Sequence, residues 1–170
     1  VKIGEGKDAT LIQADHVIMA QGSVPIELPF MPFSEHVLSS REALSLETLP
    51  DHVVVVGGGY IGLELGITFR MLGSGVTVVE AMDSVLPLFD KELRRPLELY
   101  LKKNKITVHT GVFAKGVEDA KGGKVQLNFI DKNEKDEKKM QHVVADKVLV
   151  TVGRKPASSG LESTGIAMDE

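Results

Sequence analysis

Four consecutive valines, Val53–Val56, stand between the polar pair Asp51-His52 and a run of glycines. An unbroken apolar run this short, bounded by turn residues, predicts a strand buried on both faces. A second run, Val76–Val79, ends at Glu80, and Lys147–Val152 supplies a third, placed beside the first. Between the first two runs, Ile61, Leu65, Phe69 and Leu72 fall on one helical stripe, with Gly73 as terminator. A second helix is predicted from near Asp90 to Lys103, with Leu93, Leu97, Tyr100 and Leu101 facing the core, and Ile106–Val108 follows as another parallel strand. Then come three segments of strand composition, Val112–Val117, Lys124–Ile130 and Met140–Val144, joined at Lys121-Gly122-Gly123 and by the charged run Asp131–Lys139. These read as an antiparallel meander in place of a crossover helix. The fold class is α/β: a Rossmann-like, three-layer arrangement around a parallel sheet of order 3-2-1-4, with the meander added.

The first 50 residues carry a weaker pattern. Val1–Ile3 and Thr10–Asp15 suggest two short strands about a Gly-Glu-Gly-Lys turn, and His16–Ala20 suggests a more buried strand running into Gln21-Gly22-Ser23-Val24-Pro25. Pro25, Pro29 and Pro32 punctuate a linker. Ser39 with Glu42 forms a capping box for a short helix to about Glu47, and Pro50 stops it.

The glycines after Val56 carry the chemistry. Gly57, Gly59 and Gly62 follow a buried strand and open an amphipathic segment, the context that makes G-x-G-x-x-G a specific dinucleotide signal. Gly57 is assigned to the tight turn, Gly59 to the approach of a pyrophosphate and Gly62 to close helix–strand packing. The phosphates would sit on the helix N-terminus, and a Cβ at Gly59 is expected to be poorly tolerated. Glu80, ending the second strand, is placed at the adenosine ribose. A carboxylate there accepts the 2′- and 3′-hydroxyls and repels a 2′-phosphate, which favours NAD over NADP. The alternative for Glu80 is a strand-end acid facing water.

Composition narrows the classes further. A chain of 170 residues, 42% hydrophobic, can form one domain with a real core and pieces of another. A net charge of −4 with dispersed Lys and Arg argues against nucleic acid, and the absence of an 18-residue apolar stretch or an opening signal peptide argues against a membrane partner. Without cysteine there is neither a disulfide nor a thiolate nucleophile, and His16, His36, His52, His109 and His142 stand singly, so no metal site and no catalytic residue are assigned. His52 reads as a strand-edge residue.

This βαβαβ unit with a meander closely resembles the NAD domain of the flavin-dependent disulfide reductases, the class I pyridine nucleotide-disulfide oxidoreductases, with the dihydrolipoamide dehydrogenase branch nearest. The resemblance is carried by Ser40–Leu44, Gly57–Gly66, Leu72-Gly73, Val76–Glu80, Val85-Leu86-Pro87 and Asp90. Glu80-Ala81-Met82-Asp83 lacks the basic residues of NADP-dependent relatives. Ala20–Pro25 and Thr151–Pro156 resemble the signatures at which such chains pass between FAD and NAD domains, although Gln21 departs from the usual Ala-Thr-Gly.

The resemblance implies that residues 1–30 are the last strands of an otherwise missing FAD domain and its linker, 31–153 the NAD-binding domain, and 154–170 the return segment. It further implies that Gly57, Gly58, Gly59, Tyr60, Ile61, Gly62 and Glu64 line the pyrophosphate and nicotinamide, Glu80 the ribose, Val112 the adenine by its backbone, and Gly153 the nicotinamide side. Glu64 would pair with a lysine beside the flavin, and Tyr60 would gate the nicotinamide pocket. The intact parent is expected to be an FAD-dependent oxidoreductase passing hydride from reduced flavin to NAD⁺, with a homodimer partner, in the cytoplasm or a mitochondrial matrix. The chain alone is expected to be inactive. Alternatives are an NADH oxidase or ferredoxin reductase on the same plan, or an NAD-binding module without turnover.

Overall fold

The computed structural model describes residues 1–167. The chain divides into two compact units, one of residues 1–24 with 156–170 and one of Pro25–Lys155. In the first unit Lys2–Ile3 (β1) and Thr10–Leu11 (β2) pair antiparallel, and the short strand Ser23–Pro25 (β3) begins there. The strand expected at 16–20 is absent: these residues are exposed, Ile18 at 90%, and form no ladder. Apolar composition alone does not make a strand where no neighbouring strand supplies hydrogen-bond partners.

The second unit holds the core. Its elements are Val37–Leu38 (β4), Ser40–Leu44 (α1), His52–Val56 (β5), Tyr60–Leu72 (α2), Gly75–Glu80 (β6), Lys91–Lys103 (α3) and Thr107–Thr110 (β7). Val112–Ala120 (β8), Lys124–Asp131 (β9), Gln141–Ala145 (β10), Lys147–Val150 (β11) and the short Arg154–Pro156 (β12) follow. The parallel sheet runs β4-β11-β5-β6-β7, so the expected order holds and gains an edge strand. Val37 and Leu38, for which no strand was expected, pair with Val148 and Leu149. Two residues are too few to show a period.

Alternation along the buried strands builds two cores. Val54, Val56, Val79, Val148 and Val150 face the antiparallel meander β10-β9-β8 and meet Leu127, Phe129 and Met31. Val53, Val55, Val76, Val78 and Leu149 face the helices and meet Leu63, Phe69 and Leu101. Both faces of the parallel sheet are thereby covered, as such sheets require, and each fully buried valine is worth about 1.5–3 kcal/mol.

The helix stripes differ from the spacing estimate. In α2 the buried face is Gly62, Leu63, Gly66 and Phe69, while Leu72 is 63% exposed. Two glycines on that face let the helix lie close to β5 and β6, and large residues flank them. In α3 only Leu101 is buried and Leu93 and Tyr100 are exposed, because α3 lies beside the edge strand β7, where its C-terminal turns alone reach the core. The Ser39–Glu42 capping box is present, and α1 ends at Leu44. Among the described residues no helix is long and apolar enough to cross a membrane.

Candidate functional site

The carboxyl ends of β5, β6 and β11 converge on a cavity of about 570 Å³. Its floor is the turn from β5 into α2. Gly57 has φ +107, and a Cβ there would lie 2.6 Å from the Thr151 carbonyl oxygen, so only glycine fits the turn. The Thr151 hydroxyl donates to the carbonyls of Gly57 and Val56 at 3.1 and 3.2 Å, tying β11 to the glycine loop. At Gly62 a Cβ would overlap the Gly57 carbonyl and lie 2.5 Å from Thr151 Oγ1 and 2.9 Å from Val55 Cγ1. This is the position of close helix–strand contact.

Gly59 behaves differently. It is the N-cap of α2, with φ −76 and ψ 177, and supplies no capping side chain. A Cβ there would meet nothing within 4 Å, which corrects the expected intolerance: the backbone is ordinary and the neighbouring space open. A helix N-terminus bare of a capping side chain, opening on free space, fits an anionic group.

Glu80 is only 8% exposed, so it does not face water. Its Oε2 accepts the Gly58 amide at 2.5 Å and Oε1 the Met82 amide at 2.7 Å. The carboxylate therefore clamps the glycine loop to the turn after β6, and each oxygen retains acceptor capacity for a hydroxyl. The Leu86 amide donates to the Gly58 carbonyl at 2.9 Å, which brings loop 81–89 to the cavity rim.

Of the positions singled out in the sequence, Gly57, Gly59, Tyr60, Ile61, Glu80, Val112 and Gly153 line this cavity. Gly58 and Gly62 are buried behind its wall, and Glu64 is exposed on α2 outside it. Tyr60 is 61% exposed at the mouth, and the Val112 side chain is buried toward the meander core. The Gly153 carbonyl accepts the Ile26 amide at 3.0 Å, which anchors a strap carrying Leu28 and Phe30 to the rim. Sequence reading missed the apolar walls, Leu28, Phe30, Leu88, Phe89 and Phe113. Their signal was available in Phe30, Phe89 and Phe113, aromatic residues that suit no core stripe.

At the opposite ends of the strands lies a polar clasp. Asp146 accepts the His52 amide at 2.7 Å and the Lys124 ammonium at 2.9 Å, while His52 Nε2 sits 3.0 Å from Thr77 Oγ1. Burial pushes the His52 imidazole below its ordinary value, Asp146 acting against this and Lys124 with it. Burial raises the Asp146 carboxyl, but the Lys124 ammonium and the His52 amide outweigh it and leave it below its ordinary value. His36 Nδ1 lies 3.1 Å from the Asp146 carbonyl and His109 stacks obliquely on Phe129 at 4.9 Å, so these histidines are structural.

A glycine turn at the carboxyl edge of a parallel sheet, an open helix N-terminus and a clamped acid on the next strand are the features of a Rossmann-like α/β domain. Comparison places it more closely. The family model described as pyridine nucleotide-disulphide oxidoreductase matches residues 1–170, and the chain belongs to that family. Similar proteins include dihydrolipoyl dehydrogenase of Pseudomonas aeruginosa, 41% identical over 96% of this chain and 34% of the relative. That of Bacillus subtilis is 40% identical over 100% of the chain and 36% of the relative. The chain thus spans about a third of the length of these relatives. Among solved structures, LpdA from Mycobacterium tuberculosis superposes with TM-score 0.82 at 30% identity, over 96% of this chain and 34% of that one. The Cu(II) complex of the HOCl-induced flavoprotein disulfide reductase RclA from Escherichia coli gives TM-score 0.83 at 24% identity, over 99% and 37%, a likeness of fold.

Proposed function

We propose that this chain is the NAD(H)-binding region of a dihydrolipoyl dehydrogenase-type flavoenzyme. The observation that supports it best is the pairing of the open Gly59 N-cap with the buried Glu80 carboxylate on one cavity wall. The first would hold the pyrophosphate on the amides of the first turn of α2, and the second the adenosine ribose hydroxyls. Val112, the glycine loop and Gly153 all line this cavity, so one wall offers places for the adenine, the pyrophosphate and the nicotinamide of an extended dinucleotide. The bound nicotinamide supplies hydride chemistry; this chain's residues bind and orient it, with Gly153 and Tyr60 at the nicotinamide end.

In the intact protein the partners would be an FAD domain and a second subunit, and the reaction dihydrolipoamide with NAD⁺ giving lipoamide and NADH. The names and coverage of the similar proteins support this reading. No catalytic group is assigned among these residues. The test is calorimetric titration of the chain with NADH and NADPH: tighter NADH binding is expected, and equal affinities or none would refute the proposal.

A further inference from the structure

Away from the glycine loop, the last turns of α2 and α3 enclose a second cavity, of about 320 Å³. A helix of 13 residues is about 20 Å long, so the length of α2 separates this cavity from the Gly59 N-cap. Its charge is one-sided. Arg70, Lys103 and Lys105 line it and no carboxylate does, in a chain whose net charge is −4. Among the described residues none of the three forms an ion pair.

Basic side chains at a helix C-terminus ordinarily serve its free carbonyls. Here most of those carbonyls are already taken by amides. The Tyr100 carbonyl accepts Asn104, Leu101 accepts Ile106 and Lys102 accepts Lys105, while in α2 the Phe69 and Arg70 carbonyls accept Ser74 and Gly73. Only Arg70 is used in the ordinary way: Nε donates to the Asn104 carbonyl at 2.8 Å and Nη1 to the Ser74 carbonyl at 3.1 Å. These bonds fix the guanidinium between the two helix ends, and the two donors of Nη2 take part in neither. Lys105 has φ +58, the left-handed position after a helix where glycine is usual, so this turn carries a cation at the cavity where it needs no side chain. Ile67, Met71 and Ile106 add an apolar side, and Tyr100, 40% exposed, an aromatic one.

We propose that this cavity binds a small phosphate monoester, its phosphate on Arg70, Lys103 and Lys105 and its apolar part against Met71 and Tyr100. A planar guanidinium held in place beside two ammoniums suits a dianion. The apolar side favours an organic ester over the bare ion.

The test is an amide-resolved titration of the labelled chain with phenyl phosphate, benzoate and inorganic phosphate at fixed ionic strength. Phenyl phosphate is expected to give saturable shifts at Arg70, Met71 and residues 104–106. It should bind about fivefold or more tighter than benzoate, the same ring with a single charge, and about threefold or more tighter than inorganic phosphate. Lys103→Ala combined with Lys105→Gly changes an exposed helix end and a turn that glycine suits, so the melting temperature should hold while affinity falls about tenfold or more. Gly59→Asp should leave this affinity within about twofold, which separates the cavity from the pyrophosphate site. Affinity kept in the double variant, shifts lost in Gly59→Asp, benzoate binding as tightly as phenyl phosphate, or no saturable response at the ends of α2 and α3 would overturn the proposal. Each would leave NAD(H) binding at the glycine loop standing.

Discussion

Replacing Gly59 with aspartate separates binding from folding more cleanly than removing any other residue of the loop. The backbone there is already that of an N-cap, with φ −76 and ψ 177, and an added Cβ meets no atom within 4 Å. Aspartate caps better than glycine by a few tenths of a kcal/mol and favours a helix N-terminus by about 0.3–1 kcal/mol. The variant is expected to melt at or above the wild-type temperature. Its carboxylate, however, occupies the place assigned to the pyrophosphate. Like charges about 5 Å apart at an effective dielectric of about 20 repel by about 3 kcal/mol, which corresponds to more than a hundredfold loss of NADH affinity. Gly62→Ala is the counterpart. Its Cβ would overlap the Gly57 carbonyl and crowd Thr151 Oγ1 and Val55. Overpacking of roughly 1–3 kcal/mol outweighs a helix-propensity gain of at most about 1 kcal/mol, so the melting temperature should fall by several degrees. Differential scanning fluorimetry with NADH titration reads both quantities. A Gly59→Asp chain that keeps NADH affinity, or a Gly62→Ala chain as stable as wild type, would refute the division of labour among the glycines.

Other expectations follow from the same geometry. Glu80→Gln retains one acceptor for the Gly58 and Met82 amides but sets an NH2 group against the other. It should cost about 1–3 kcal/mol in chemical denaturation and narrow the preference for NADH over NADPH; an unchanged ratio would remove Glu80 from the ribose. At the far end of the sheet, His52 titrates below its ordinary value of 6.5. Its folded form therefore binds protons less readily than the unfolded chain, so its contribution is complete above pH 6.5 and is lost as pH falls through the folded value. Asp146, held below its ordinary 3.8, adds a further loss at still lower pH. Thermal stability should thus fall from pH 7 toward pH 5 in wild type and be flatter in His52→Gln; parallel profiles would contradict this. Ser39→Ala removes the hydroxyl half of the α1 capping box while the residue 39 amide still donates to Glu42, and should cost about 1 kcal/mol with no effect on nucleotide affinity.

What the residues disclosed in advance depended on the length of each signal. Val53–Val56 and Val76–Val79 are continuous apolar runs flanked by turn residues, and they gave strand order and the position of the glycine loop without ambiguity. The stripe of α2 was misplaced because its contact face is built from Gly62 and Gly66, which no hydrophobic count registers. Val37–Leu38 was hidden by brevity, and 16–20 misled because a strand is a property of a pair of segments rather than of one. In the site, Gly57, Gly59 and Glu80 followed from spacing, but the double backbone clamp on Glu80 needed coordinates, as did the apolar rim contributed from segments at 28–30, 86–89 and 113–114. A wall assembled from distant loops has no period in the sequence.

The most direct measurement is a titration of the isotopically labelled chain with NADH, followed amide by amide in solution. The expected result is saturable shifts concentrated at Gly57, Gly59, Tyr60, Ile61, Met82, Val112, Phe113 and Gly153, with the His52–Asp146 clasp unmoved. Shifts centred instead on the smaller cavity of about 320 Å³ between the C-terminal ends of α2 and α3, or no saturable response, would contradict dinucleotide binding at the glycine loop.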